Sequence, residues 1–265
     1  MKTHHALCGL ISGLLLLAAG TLTVHGQYAY FNDPTDTIRA NGNTTLGTAA
    51  TYEALVLLST ASFGGIIFNE WANALEDNYL AVDSTSITGF SYNINPADVS
   101  ATVALTLNQW HHIAYVYDGS QERIYLDGVL AGSHAASGSI LNSNTGAPFV
   151  GAIFRGGTTH ASFQGYIDTL RISNNARYSG ASFTAPTGDL TTDANTQLLY
   201  NFDDAPGSPT AVDSSANGFT GTLGTGFAGA TTPLFVSATP EPASAALLLG
   251  SGAMLLPRRR RAAAR

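Results

Sequence analysis

Short apolar and aromatic runs, many of them alternating with Thr, Ser or Asn, recur along this chain between turn residues. No segment sustains a helical period. Such runs mark strands of a sandwich or barrel. They predict strands over residues 51–58, 65–68, 79–82, 87–94, 101–107, 111–117, 123–126, 149–154, 163–172 and 197–202. Turns are expected at Asp118-Gly119-Ser120, Asp127-Gly128, Asn95-Pro96 and Ala147-Pro148. The span 71–78 reads as a polar loop, and 174–178 as one helical turn. Residues 111–117 are apolar or aromatic on both faces, as are 87–94 to a lesser degree. A strand of that kind belongs inside a sheet, with one face on the core and the other under loops or lining a groove. The hairpin over 111–130 turns tightly at Asp118-Gly119.

The two ends break this pattern. Lys2 precedes an apolar stretch over 6–19, and small residues follow around Gly20 and Gly26. That order reads as a secretory leader cut near Gly26, with Gly20 the second choice. Cys8 lies inside it, so the remaining chain has no cysteine and no disulfide. At the other end, Pro240-Glu241-Pro242 precedes an apolar run over 243–256, then Pro257 and Arg258, Arg259, Arg260 and Arg261. A helix over that run reaches about 21 Å, short of the roughly 30 Å hydrocarbon core, so it suits a temporary tether. The arginines would hold that end in the cytoplasm.

Between them, residues 27–236 suit one large all-β domain. This stretch has no lysine, and five arginines stand against seventeen acidic residues, a net charge near −12. Nucleic-acid binding is excluded as a class, because phosphate contacts need clustered Lys and Arg. The expected organisation is a signal peptide over 1–26, the domain over 27–236, and a tail over 237–265 holding the motif at 240–242, the apolar segment to 257 and the Arg-rich end from 258.

Three stretches carry a resemblance. One is Trp110-His111-His112-Ile113-Ala114-Tyr115-Val116-Tyr117-Asp118-Gly119 with Ile124-Tyr125-Leu126-Asp127-Gly128. Another is Gly165-Tyr166-Ile167-Asp168-Thr169-Leu170-Arg171-Ile172-Ser173 with Ala176-Arg177-Tyr178. The third is Thr196-Gln197-Leu198-Leu199-Tyr200-Asn201-Phe202-Asp203 with Asp213-Ser214-Ser215-Ala216-Asn217-Gly218. In order and spacing they resemble the LamG-like jelly roll, the concanavalin A-like sandwich of laminin G modules, pentraxins and legume lectins. The resemblance implies an antiparallel jelly-roll sandwich of two curved sheets with the first and last strands side by side. The C-terminal segment resembles a PEP-CTERM sorting signal, which implies an exosortase-type membrane protease as a processing partner and an address at the cell envelope, outer surface or matrix of a bacterium with two membranes.

Within that frame Trp110 is expected to fill a gap between the sheets. Asp168 should face the same way as Tyr166, Leu170 and Ile172, with backbone amides, Arg171 or Arg177 as its partners. For glycoside hydrolysis on a strand, carboxylates must recur at alternate positions to reach one groove. No glutamate here has an aspartate two places on, and Glu70 with Glu76-Asp77 falls in the expected loop. Adjacent His111 and His112 face opposite sides of a strand and cannot chelate together. Calcium is the most plausible ion, with Asp33 and Asp36, Glu76 and Asp77, or Asp203, Asp204 and Asp213 as candidate ligands. A sugar needs an aromatic platform with polar neighbours, and Trp71 with Asn69, Asn73 and Tyr79 is the best set. Tyr92, Tyr115 and Tyr117 could line a concave face. The expectation is a non-catalytic binding or adhesion module for polysaccharide or another envelope polymer. A purely structural surface protein is the alternative, and a hydrolase-like enzyme comes third.

Overall fold

The computed structural model describes residues 26–61, 65–71, 77–142, 146–155 and 158–237. Twenty strands, β1 to β20 along the chain, form two eight-stranded antiparallel sheets and two short ladders among these residues. The first sheet runs β11 (Val129–Ala135), β10 (Gln121–Leu126), β9 (Trp110–Tyr117), β3 (Ala50–Leu58), β16 (Gly165–Ser173), β1 (Gln27–Phe31) and β20 (Leu234–Ser237), with β17 (Thr196–Tyr200) also on β16. The second runs β18 (Thr210–Ala211), β19 (Gly221–Leu223), β2 (Ile38–Ala40), β13 (Phe149–Val150), β4 (Gly65–Trp71), β5 (Asp77–Val82), β6 (Ser86–Phe90) and β8 (Asp98–Thr102). The ladders are β7 (Ile94–Asn95) with β12 (Ser137–Gly138), and β14 (Ala152–Arg155) with β15 (Thr158–Ser162). This is an all-β, antiparallel two-sheet sandwich of the jelly-roll class. The first and last strands pair as the resemblance implies, with Tyr28 opposite Val236.

One continuous core lies between the sheets. It takes Tyr52, Tyr115, Ile113 and Ile172 from the first sheet and Phe68, Leu80, Ile87 and Val150 from the second, and the Tyr52 and Phe68 rings meet at 5.1 Å. Strict alternation puts their chain neighbours on the outer faces. β9 is buried on both sides, as its composition demands. Its outer residues Ala114 and Val116 pack with Tyr125 under Tyr178 and Phe183. Those two rings, stacked at 3.6 Å, belong to an extended strap beyond β16.

Several expectations need correction. The strap contains no helical turn over 174–178; it stays extended because its side chains serve the sheet beneath rather than one another. β4 runs on to Trp71 and β5 starts at Asp77, so Glu70 and Asp77 are strand residues of a longer hairpin. The stretch 87–94 ends as a strand at Phe90, and its burial alternates instead of filling both faces. The strand expected over 101–107 lies earlier, at β8. Residues 149–154 divide at Gly151, whose φ of 96° and contacts with the Phe31 ring leave no room for a side chain.

Trp110 lies on the outer face of the first sheet, not between the sheets, with its ring 4.8 Å from Tyr28. A register shift between Ile167 and Thr169 makes a bulge at Asp168. Ile167, Leu170 and Ile172 therefore share the core, and Asp168 does not follow the expected parity. Arg171 and Arg177 turn to Glu53 and Asp193 instead of to Asp168. Asp168 is fully buried, and burial together with Asp189 and Asp203 pushes its carboxyl up to about 8. Residues 1–25 of the expected leader, Asn73, Glu76 and the whole sorting motif lie outside the described residues. No helix among those described is long and apolar enough to cross a membrane.

Candidate functional site

On the outer face of the second sheet, one cross-strand row brings aromatic and polar residues together. Thr222 pairs with Arg39, Arg39 with Phe149, Phe149 with Asn69, Asn69 with Tyr79, and Tyr79 with Phe90. Directly opposed antiparallel residues share a face. Their chain neighbours Ile38, Val150, Phe68 and Leu80 are in the core, so this row points away from it. The Tyr79 and Phe90 rings are parallel, 4.8 Å being the usual strand spacing and 5.2 Å their centroid separation. Arg39 lies over the Phe149 ring at 5.7 Å.

Of the expected ligand set, the structure therefore brings Asn69 and Tyr79 side by side. Trp71 closes β4 opposite Asp77. Asn69 is fully buried, and neither its Oδ1 nor its Nδ2 has a hydrogen-bond partner among the described residues. An enclosed amide left in that condition costs about 1–3 kcal/mol per group. Beyond Phe149 the row runs into a cleft of about 460 Å³ bordered by Arg39, Asn41, Gly42, Asn43, Thr222 and Thr225. Sequence reasoning missed Arg39, Phe149 and Phe90, because only strand order places them beside Asn69 and Tyr79.

The acidic side chains take a different course. Glu70 and Glu122 both point into the sandwich and both raise the Tyr52 hydroxyl electrostatically, secondary to its burial. Each is fully buried. Glu70 accepts from the Thr44 amide at 2.9 Å and lies 2.6 Å from the Thr44 hydroxyl. Burial pushes its carboxyl up to about 7, against those two hydrogen bonds. Glu122 lies 2.7 Å from the Tyr115 hydroxyl and 2.5 Å from His134 Nε2, and burial pushes it up as well. Two perturbed acids near one tyrosine are what a hydrolase would present, but both side chains are fully buried in the sandwich. On the outer face of the first sheet, Glu53 accepts from Arg171 Nε and Nη2 at 2.9 and 2.7 Å and from Tyr178 at 2.7 Å, with His112 Nε2 at 3.1 Å. His111 turns the other way, to Asp127 at 2.8 Å, so the two histidines do face opposite sides.

The proposed calcium ligands are dispersed among separate turns. Asp213 accepts from the amides of Leu199, Ser215 and Phe219, and Asp204 from that of Val212. Asp36 accepts from the amides of Asn32 and Asp33. Among the described residues no three His, Cys, Asp or Glu groups are placed to hold a metal. A rim calcium site would raise the melting temperature by several degrees in millimolar calcium relative to chelator, and coincident melting curves would remove it.

The sequence profile of the concanavalin A-like lectin/glucanases superfamily (Laminin_G_3) matches residues 32–181. The chain belongs to this superfamily. Among solved structures, a Bacteroides ovatus protein provisionally described as carbohydrate binding matches with a TM-score of 0.59 and 15% identity, over 82% of this chain and 61% of its own. The chain thus spans about three-fifths of that protein's length. A heptameric SAP-like pentraxin from Limulus polyphemus matches at TM-score 0.46 and 17% identity, over 58% of this chain and 78% of its own. Mouse laminin α1 domains LG4–5 match at 0.43 and 12%, over 63% of this chain and 48% of theirs. At these identities the likeness is one of fold. No curated protein matches the chain.

Proposed function

We propose that this superfamily member is an exported, non-catalytic surface module that binds polysaccharide through the outer face of its second sheet. The observation that carries the reading is the row Arg39–Phe149–Asn69–Tyr79–Phe90, where three half-buried rings share one face with an exposed arginine at its end. Aromatic faces bind the apolar faces of sugar rings, and neighbouring polar groups fix their orientation. The buried carboxylates leave this face without an acid pair for hydrolysis. The lectin-type superfamily and the carbohydrate-binding description of the Bacteroides ovatus protein support the same class. Fold alone would not assign it.

The address is part of the proposal. The leader exports the domain, and the PEP-CTERM-like tail presents Pro240-Glu241-Pro242 to an exosortase-type protease while the short apolar run serves as a transient tether at the envelope. The mass of protein recovered from the producing cell surface checks both cuts.

Binding is tested by pull-down and affinity electrophoresis with a panel of neutral and acidic polysaccharides. Tyr79→Ala is expected to weaken binding about tenfold, the loss of roughly one stacking contact of 1–1.5 kcal/mol, with the folded circular-dichroism spectrum retained. Failure of the intact domain to bind any polymer in the panel would leave the purely structural surface role. Release of reducing sugar from any of them would return the enzyme reading.

A further inference from the structure

The cleft at the end of the row has a chemistry of its own. Among the described residues, Arg123 pairs with Asp118, Arg171 with Glu53, and Arg177 with Asp193. Arg39 has no carboxylate partner among the described residues. It is exposed, it borders the cleft, and its guanidinium is held over the Phe149 ring. A guanidinium carries paired N–H donors suited to two-point capture of a carboxylate, and here none of them is taken by a carboxylate of the described residues. Asn41, Asn43, Thr222 and Thr225 supply neutral donors and acceptors around it. In a domain near −12, a cation left unneutralised where carboxylates are abundant is unusual.

From this arrangement we propose that the site selects carboxylated glycans, with a uronate carboxylate on Arg39 and the adjoining sugar rings along Phe149, Tyr79 and Phe90. The inference rests on the polysaccharide reading above and gives it a substrate class. Two scales of electrostatics decide its sign. The domain as a whole repels a polyanion, but at physiological salt charges more than about 8 Å away are largely screened, whereas a guanidinium–carboxylate contact is not. The local contact therefore outweighs the global field once salt is present.

The test uses the domain and two polymers of the same backbone, polygalacturonate and its methyl ester, at 0.15 M salt. The acid is expected to bind at least tenfold more tightly than the ester. Arg39→Gln should erase that preference, weakening binding of the acid at least tenfold so that acid and ester bind alike. Arg39→Lys should keep part of it, because an ammonium retains charge without the two-donor fork. Equal binding of acid and ester, or an acid preference that survives Arg39→Gln, would overturn the assignment while leaving polysaccharide binding through Tyr79 intact. Binding of neutral glycans alone would do the same. Absence of binding to every polymer, neutral or acidic, would remove both.

Discussion

Replacing Glu53 by Gln is expected to destabilise the domain by about 3–5 kcal/mol and to lower its melting temperature by roughly 10 °C. Glu53 is fully buried in the middle of β3, where no charge would persist unaided. Burial works to raise its carboxyl, yet the hydrogen bond with His112 and the Arg171 charge outweigh it and hold the group below the usual range. Removing the negative charge strands Arg171, itself buried, with a neutral amide. It also loosens Tyr178, whose hydroxyl donates to Glu53 and whose ring holds the strap over β9 and β10. An apolar pair in place of both Glu53 and Arg171 should recover much of the loss, because an intact buried ion pair contributes little beyond its own desolvation. The sign of the pH effect follows from the lowered value. The stabilisation is present above the ordinary glutamate pKa of 4.5 and disappears as pH falls through the folded-state value. Urea denaturation of the parent and of Glu53→Gln should therefore converge in acid and separate at neutral pH. A separation independent of pH, or under 1 kcal/mol, would show that the charge does not hold the strap.

How much of this could be read from the sequence depends on range. The 111–130 hairpin was legible because its determinants are local: apolar and aromatic runs joined by Asp-Gly turns, with Asp127 and Gly128 both at positive φ. The two-faced burial of β9 was legible for the same reason, since a strand without a polar face needs two covers. Trp110 was misplaced because parity needs a fixed reference, and its neighbours His111 and His112 are both buried, one on each face. The Asp168 bulge depends on how β16 meets β3, which no single-strand pattern contains.

The candidate site divides along the same line. Asn69 and Tyr79 were legible as polar and aromatic flanks of Trp71. Their union with Phe149 and Arg39 requires β13 to lie between β2 and β4, bringing together residues about eighty and more than a hundred positions apart. Glu70 was assigned to a loop because Asn, Glu and Trp in succession look like surface. The hairpin instead continues, and strand parity then turns the glutamate inward behind Phe68.

Glu70→Gln is expected to stabilise the domain at pH 8 by about 1–3 kcal/mol and to change little at pH 4. The carboxyl is raised by burial from 4.5 to about 7. Below 4.5 both folded and unfolded chains carry the proton, and ionisation costs nothing. Between 4.5 and about 7 the folded chain retains a proton that the unfolded chain has released, so stability falls as pH rises. Above about 7 the buried carboxylate is charged and the penalty is complete. Gln removes this titration while its carbonyl can still accept the Thr44 amide. The consequence reaches the surface, because Thr44 follows Asn41, Gly42 and Asn43 on the rim of the Arg39 cleft. The Thr44 hydrogen bonds favour the ionised carboxylate but only partly offset its burial, so the cost of ionisation is one of desolvation. Urea midpoints at pH 4, 6 and 8 measure the effect, and the difference between variant and parent should grow monotonically across that interval. A flat difference would mean that Glu70 titrates as an ordinary carboxylate, and that the contacts with Thr44 and not its burial set its ionisation.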